Sequence, residues 1–148
     1  MAAWYEVFYN IKVMNLSQRH FLLSILPETF AIVGLSHSTS VPGWATQGSF
    51  FSVTRTPDEL SIVVDETLVP TGVQSQGGWR VMKVHGPFIL AEVGVLASLA
   101  GPLAAAKISA FVVSTFDTDY LLVANENLAP AISTLERAGH TFQKGPSE

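Results

Sequence analysis

Cysteine is absent from the chain, which removes disulfide frameworks, thiolate metal sites and cysteine nucleophiles and fits a reducing compartment. Charge is scarce too. Only 14% of the 148 residues are charged, and the eight lysines and arginines are scattered from Lys12 to Lys144 within a net charge of −4. A phosphate backbone calls for a basic stripe, so nucleic acid is not an expected partner. Long apolar runs are missing: FLLSILPETFAIVGL (21–35) is interrupted by Pro27 and Glu28, and neither side is long enough to span a bilayer. The first fifteen residues carry Glu6 and Lys12 without a basic-then-apolar order, unlike a secretory signal. The expectation is a cytoplasmic protein with no membrane partner.

The usual catalytic signatures are also wanting. His20, His37, His85 and His140 lie far apart, with no H-x-x-x-H pair and no carboxylate at a ligand spacing, so they read as solvated or locally bonded side chains and no metal is expected. No G-x-S-x-G, P-loop or G-x-G-x-x-G occurs, which leaves no cofactor to expect. Asp117 and Asp119 resemble an acid–base pair only in spacing, because nothing supplies the nucleophile, metal or enclosing partner that such chemistry needs. The chain is not expected to be an enzyme.

What is present is apolar pattern. Hydrophobic residues make up 48% of the chain, enough for a genuine core. From Trp79 the order is legible: a strand WRVMKV (79–84); a helix in GVLASLAGPLAAAKI (94–108) with Val95, Leu96, Leu99 and Leu103 on one face; a hairpin across STFDTDYLLV (114–123), with its turn at 116–119. A second helix follows in NENLAPAISTLERAGH (125–140), with Asn125 or Asn127 as cap, Leu128, Ile132 and Leu135 as its stripe and Gly139 as its stop, and a last strand is TFQ. Pro102, inside the first helix, costs a hydrogen bond. This βαββαβ order predicts an α+β, ferredoxin-like fold, an antiparallel sheet with two helices on one face.

The first half reads as a blurred copy. FSVTRTPDELSIVV (51–64) aligns without a gap on FVVSTFDTDYLLVA (111–124), Phe51 over Phe111 and Glu59 over Asp119, a spacing of 60 residues. ETFAIVGLS reads as a strand where a first helix would stand, and PGWAT leaves room for one short helical turn. The domains expected are an extension over 1–19, a degenerate unit over 20–70 and a complete unit over 79–144, joined by the Gly- and Gln-rich 70–79.

Two features suggest a ligand. Gly94, Val95 and Leu96 open a helix whose unsatisfied N–H groups and positive dipole end suit an anion. A separate acid in the hairpin turn suits a cation, and a molecule carrying both charges is a free amino acid. The bland alternative for the acids is an Asx-type turn bond.

The motifs T-x-T-P-D-E-L-S-I-V and S-T-F-x-T-D-Y, with EVGVLASLAGPLAAAKISAFVV (92–113), resemble the tandem ACT-domain proteins related to the cytosolic arginine sensor CASTOR, over about residues 20–142. The resemblance implies a non-catalytic regulatory chain that binds a free amino acid, arginine being the family's ligand, at an interface between ACT domains. It implies a loop of Glu92, Val93, Gly94, Val95 and Leu96, a turn contributing Thr115, Phe116 and Asp119, and a facing strand with Ser109 and Ala110 from a second copy, hence a homodimer. A regulated protein partner goes with such a role. The N-terminal unit, with Glu59 but no glycine loop, is expected to be structural. The competing expectation is a protein-interaction scaffold with no ligand.

Overall fold

The computed structural model describes residues 19–86 and 94–144; the expected extension before residue 19, Glu92 and Val93 lie outside the described residues. The chain runs through β1 (Leu22–Leu35), a 3₁₀ turn (Gly43–Thr46), β2 (Ser52–Arg55), β3 (Leu60–Asp65), a second 3₁₀ turn (Glu66–Leu68) and β4 (Ser75–Val84). It continues with α1 (Val95–Ala105), β5 (Phe111–Ser114), β6 (Asp119–Ala124), a third 3₁₀ turn (Asn125–Asn127), α2 (Leu128–Arg137) and β7 (Thr141–Phe142). The expected α+β class and the strand for ETFAIVGLS are both present.

One sheet in the order β2-β3-β1-β4-β6-β5 carries all of it, its neighbours antiparallel, with β7 parallel to the start of β1. Two strands serve both halves. β1 pairs β7 through Leu22 and Leu23 and pairs β3 from Phe30 onward. Its register on β4 shifts between Ile25 and Thr29, where Pro27 has no N–H to give to a ladder and is accommodated at an irregularity. β4 is continuous from Ser75, so the connection expected over 70–79 shrinks to 70–74. In a simple split βαβ sheet β7 would border β4; here the first part of β1 stands beside β7 instead.

The repeat is also in a different register. Thr56 N–H bonds Glu59 O (2.9 Å) and Thr115 N–H bonds Thr118 O (2.8 Å), and β2–β3 and β5–β6 pair identically when Thr56 is set on Thr115, a spacing of 59 (115 − 56) rather than 60. Buried Ile62, Val63 and Val64 then match Leu121, Leu122 and Val123. A one-residue slip reverses every side chain on a pleated strand, so only this spacing keeps equivalent faces inward.

Alternation along the strands divides the core into three. Leu23, Met82, Val84, Leu121 and Val123 face Val95, Leu99 and Leu103 of α1 and Ala131 and Leu135 of α2. Ala31, Val33, Leu60, Ile62 and Val64 meet Ala45 and Trp44 of the first 3₁₀ turn. Phe30, Val63, Val81 and Leu122 form the third cluster, with Phe50, Trp79 and Tyr120 against it. The Phe50 ring, just before β2, lies 4.7 Å from that of Tyr120, and Ser52 and Thr54 of β2 share one recess with Val112 and Ser114 of β5, although β2 and β5 are at opposite ends of the strand order, about 24 Å apart in a flat sheet. The sheet is therefore folded over, with the third cluster inside the fold.

Helix ends explain the remaining turns. Lys107 takes a left-handed φ of 60° after α1, where its N–H meets Ala104 O (3.0 Å) and Ile108 N–H meets Leu103 O (2.9 Å), a Schellman-type stop without the usual glycine. Gly139, at φ 97°, does the same work after α2. Asn127 holds the N-cap place of α2 but makes no side-chain cap bond. Leu96, expected on the buried face of α1, is 40% exposed.

Pro102 has no N–H to offer the carbonyl four residues back, that of Ser98. His140 fills the gap: its Nε2 lies 3.0 Å from Ser98 O, and its Nδ1 accepts from Phe21 N–H at 3.1 Å. An N–H can only donate and a carbonyl only accept, so the buried imidazole is neutral with its proton on Nε2. Burial lowers its pKa below the ordinary 6.5; the bond to Ser98 opposes that shift and nearby His20 adds to it. This locally bonded histidine ties α1, the end of α2 and the entry to β1 together.

Candidate functional site

Gly94 is the N-cap of α1, with a left-handed φ of 85° that strains any residue with a Cβ. The first ladder bond of the helix runs from Ser98 N–H to Gly94 O (3.0 Å), and Ser98 Oγ turns back to Val95 O at 2.7 Å. Val95 is buried against the core while Leu96 lies open beside it. The early N–H groups of α1 are left without intrahelical acceptors by the geometry of a helix start.

The hairpin turn is closed by hydroxyls, not carboxylates. Thr115 Oγ1 accepts from Thr118 N–H (3.2 Å) and donates to Thr118 O (2.9 Å), and Thr56 Oγ1 does equivalent work in the first half, accepting from the N–H groups of Asp58 and Glu59. The Asx bond weighed for Asp117 and Asp119 is not made. The turn also sits one residue earlier than expected, over 115–118, which makes Asp119 the first residue of β6, paired with Ser114. Phe116 at the tip is 79% exposed, which excludes a core role.

Thr118 is the residue that sequence reasoning passed over. It is buried, and its hydroxyl donates to Val84 O at the end of β4. The chain leaves β4 through Val84 toward Gly94, so this bond fixes the turn and Asp119 at the end of the sheet from which the Gly94 loop departs. No local signal in T-F-D-T-D marks it, because its acceptor lies thirty-four residues away in the sequence. Ser109 is exposed and Ala110 half-buried, immediately before edge strand β5. Both lead toward the Phe111 end of the β5–β6 ladder, whereas Asp119 begins its other end, so within one chain they belong to different ends of that hairpin.

Among the described residues no group of three or more histidines and acids stands ready for a metal, and no helix is long and apolar enough to cross a membrane.

A sheet with both α-helices on one face is the layout of an ACT domain, and the ACT-domain family model matches residues 74–137. A second family model, for an N-terminal domain, matches residues 28–72. The chain is 32% identical to the human cytosolic arginine sensor for mTORC1 subunit 1, over 84% of this chain and 44% of that protein. It therefore spans less than half the length of that relative. A solved protein from Agrobacterium tumefaciens is 40% identical, with a TM-score of 0.82 over 88% of this chain and 97% of that one. A Vibrio cholerae structure described as a possible transport protein has a TM-score of 0.72 at 19% identity, covering 86% and 96% of the two chains, a likeness of fold. The chain belongs to the ACT-domain proteins related to the cytosolic arginine sensor.

Proposed function

We propose that the chain is a non-catalytic sensor that binds a free amino acid between ACT units and passes its presence to a regulated protein partner in the cytoplasm. Its two units, about 20–70 and 79–144, are tandem ferredoxin-like ACT domains fused through β1 and β4, the first reduced to 3₁₀ turns in place of helices. The observation that carries this reading is the Thr118–Val84 bond, which brings Asp119 to the sheet end that leads into Gly94. There the N–H groups of Val95 and Leu96 take the ligand's α-carboxylate. Asp119 takes its cationic end through a charge-assisted bond, the strongest contact available, and the family resemblance adds Glu92, Val93 and Thr115 to the site. Phe116, open in the single chain, covers the aliphatic stem.

Ser109 and Ala110 come from the second copy of a homodimer. Because they and Asp119 belong to different ends of the β5–β6 hairpin, one chain cannot present both to the same ligand from that hairpin. Arginine is the first candidate ligand, on the strength of the human relative's name. A thermal-shift screen of the twenty amino acids on the full chain tests the reading. A ligand at a hundred times its Kd stabilises the fold by about 2.7 kcal/mol, and Asp119→Ala should abolish the shift. No response to any amino acid refutes the proposal. The exposure of Phe116 and Leu96 favours one second reading, a scaffold that docks a protein there; under it Phe116→Ala weakens partner binding while Asp119→Ala leaves it intact.

A further inference from the structure

A second recess opens on the inner face of the folded sheet, toward the Phe111 end of β5. It has a volume of about 490 Å³, a floor of Gly34, Ser61 and Gln76, and walls of Trp79, Phe111 and Glu59. Ser61 (β3) and Phe111 (β5) are four strands apart in the sheet order, so the fold-over of the sheet makes this space. Gly34 enlarges it. It pairs with Ser61 in the ladder, its φ is not positive, and a Cβ placed on it would meet nothing within 4 Å. No backbone demand accounts for a glycine there, and a glycine inside a strand marks either a bend or a place where something approaches closely.

The chemistry of the lining is one-sided. Among the described residues Glu59 is the single charged group of the lining, which holds no lysine, arginine or histidine. Its backbone N–H is held by Thr56 Oγ1 at 3.1 Å, which anchors the residue at the rim, while its carboxylate has no hydrogen-bond partner among the described residues. Trp79 and Phe111 present aromatic surface, Phe111 being 37% exposed. A volume of this size is that of a small-molecule site.

We infer that this recess binds a small organic cation, an amine with an apolar or flat body and no acidic group. The ammonium is held by the Glu59 carboxylate and the aromatic faces, and the body lies over Gly34. A phosphate or a free carboxylate would meet an acid and no counter-charge, which separates this ligand from the amino acid of the Gly94 corner. A neutral polyol would use the amides and hydroxyls but leave Glu59 idle. The half of the chain expected to be only structural thus acquires a ligand of its own, independent of the amino-acid reading.

The test is a titration of the full chain with phenethylamine and 1,4-diaminobutane, by calorimetry and amide chemical shifts, with glucose and inorganic phosphate as comparison ligands. Amine binding should move the amides of Gly34, Ser61 and Gln76 and the Trp79 indole. It should weaken at least tenfold in Glu59→Gln, vanish in Gly34→Leu, whose added side chain enters open space, and persist in Asp119→Ala. Should Gly34→Leu fail to fold, Glu59→Gln, a change at an exposed residue, decides the matter. Absence of amine binding at millimolar concentration, unchanged binding in Glu59→Gln or in a folded Gly34→Leu, loss in Asp119→Ala, or tighter binding of glucose or phosphate overturns the inference.

Discussion

Thr118→Val is the sharpest perturbation the structure offers. Valine nearly matches threonine in shape but cannot donate to Val84 O, the contact that ties the hairpin turn to the end of β4. Val84 is fully buried, and a buried carbonyl deprived of a donor costs about 1–3 kcal/mol. In a chain of this size each kcal/mol lowers Tm by about 2–4 °C, so a drop of about 2–12 °C is expected. The turn's own bonds come from Thr115 and the backbone of residue 118 and survive the change. The hairpin should therefore stay formed but lose its fixed position at the end of β4. Amino-acid affinity, read by calorimetry, should fall at least tenfold, about 1.4 kcal/mol, and Thr118→Ser should restore both stability and affinity. A valine variant that melts and binds like the wild type would show that the hydroxyl does not position Asp119.

His140 predicts a pH dependence. Its folded pKa lies below 6.5, so the stability it contributes is complete above the unfolded value and is lost as pH falls from there through the lowered folded value, where the unfolded chain binds a proton that the folded chain resists. Chemical denaturation at several pH values should show this loss, and His140→Gln should remove that part of the profile. Lys107→Gly should stabilise the chain by about 1 kcal/mol, because glycine takes the left-handed φ after α1 without strain; an unchanged denaturation midpoint would contradict the strain. Leu99→Ala, at a fully buried position between α1 and the sheet, should cost about 2–5 kcal/mol by the same measurement.

Local pattern disclosed the elements well. Apolar alternation gave the strands, the apolar face of 94–108 and the Gly139 stop gave the helices, and the sheet is antiparallel as expected except where β7 runs parallel to β1, with the helices on one face. Pairing partners were less legible, because a strand's own sequence does not say what lies beside it. Nothing in FLLSILPETFAIVGL states that β1 changes neighbours at Pro27, nor that Ser75 already belongs to β4. The repeat spacing went astray by one because Phe51 over Phe111 is a residue match, whereas the threonines that close the two turns set the register. At the candidate site, Gly94 could be read as the opening of a helix, although its left-handed φ came only with the structure. Thr118 could not be weighed, since its importance comes from a carbonyl thirty-four residues away.

A proline in the middle of α1 and a histidine beyond the end of α2 satisfy one another. Substituting Pro102 with a residue that bears an N–H would put a rival donor at the Ser98 carbonyl and loosen the hold of His140 on the start of β1. The two positions should consequently be exchanged together in descendants of this sequence, and an engineer who straightens the helix would have to redesign the far seam as well.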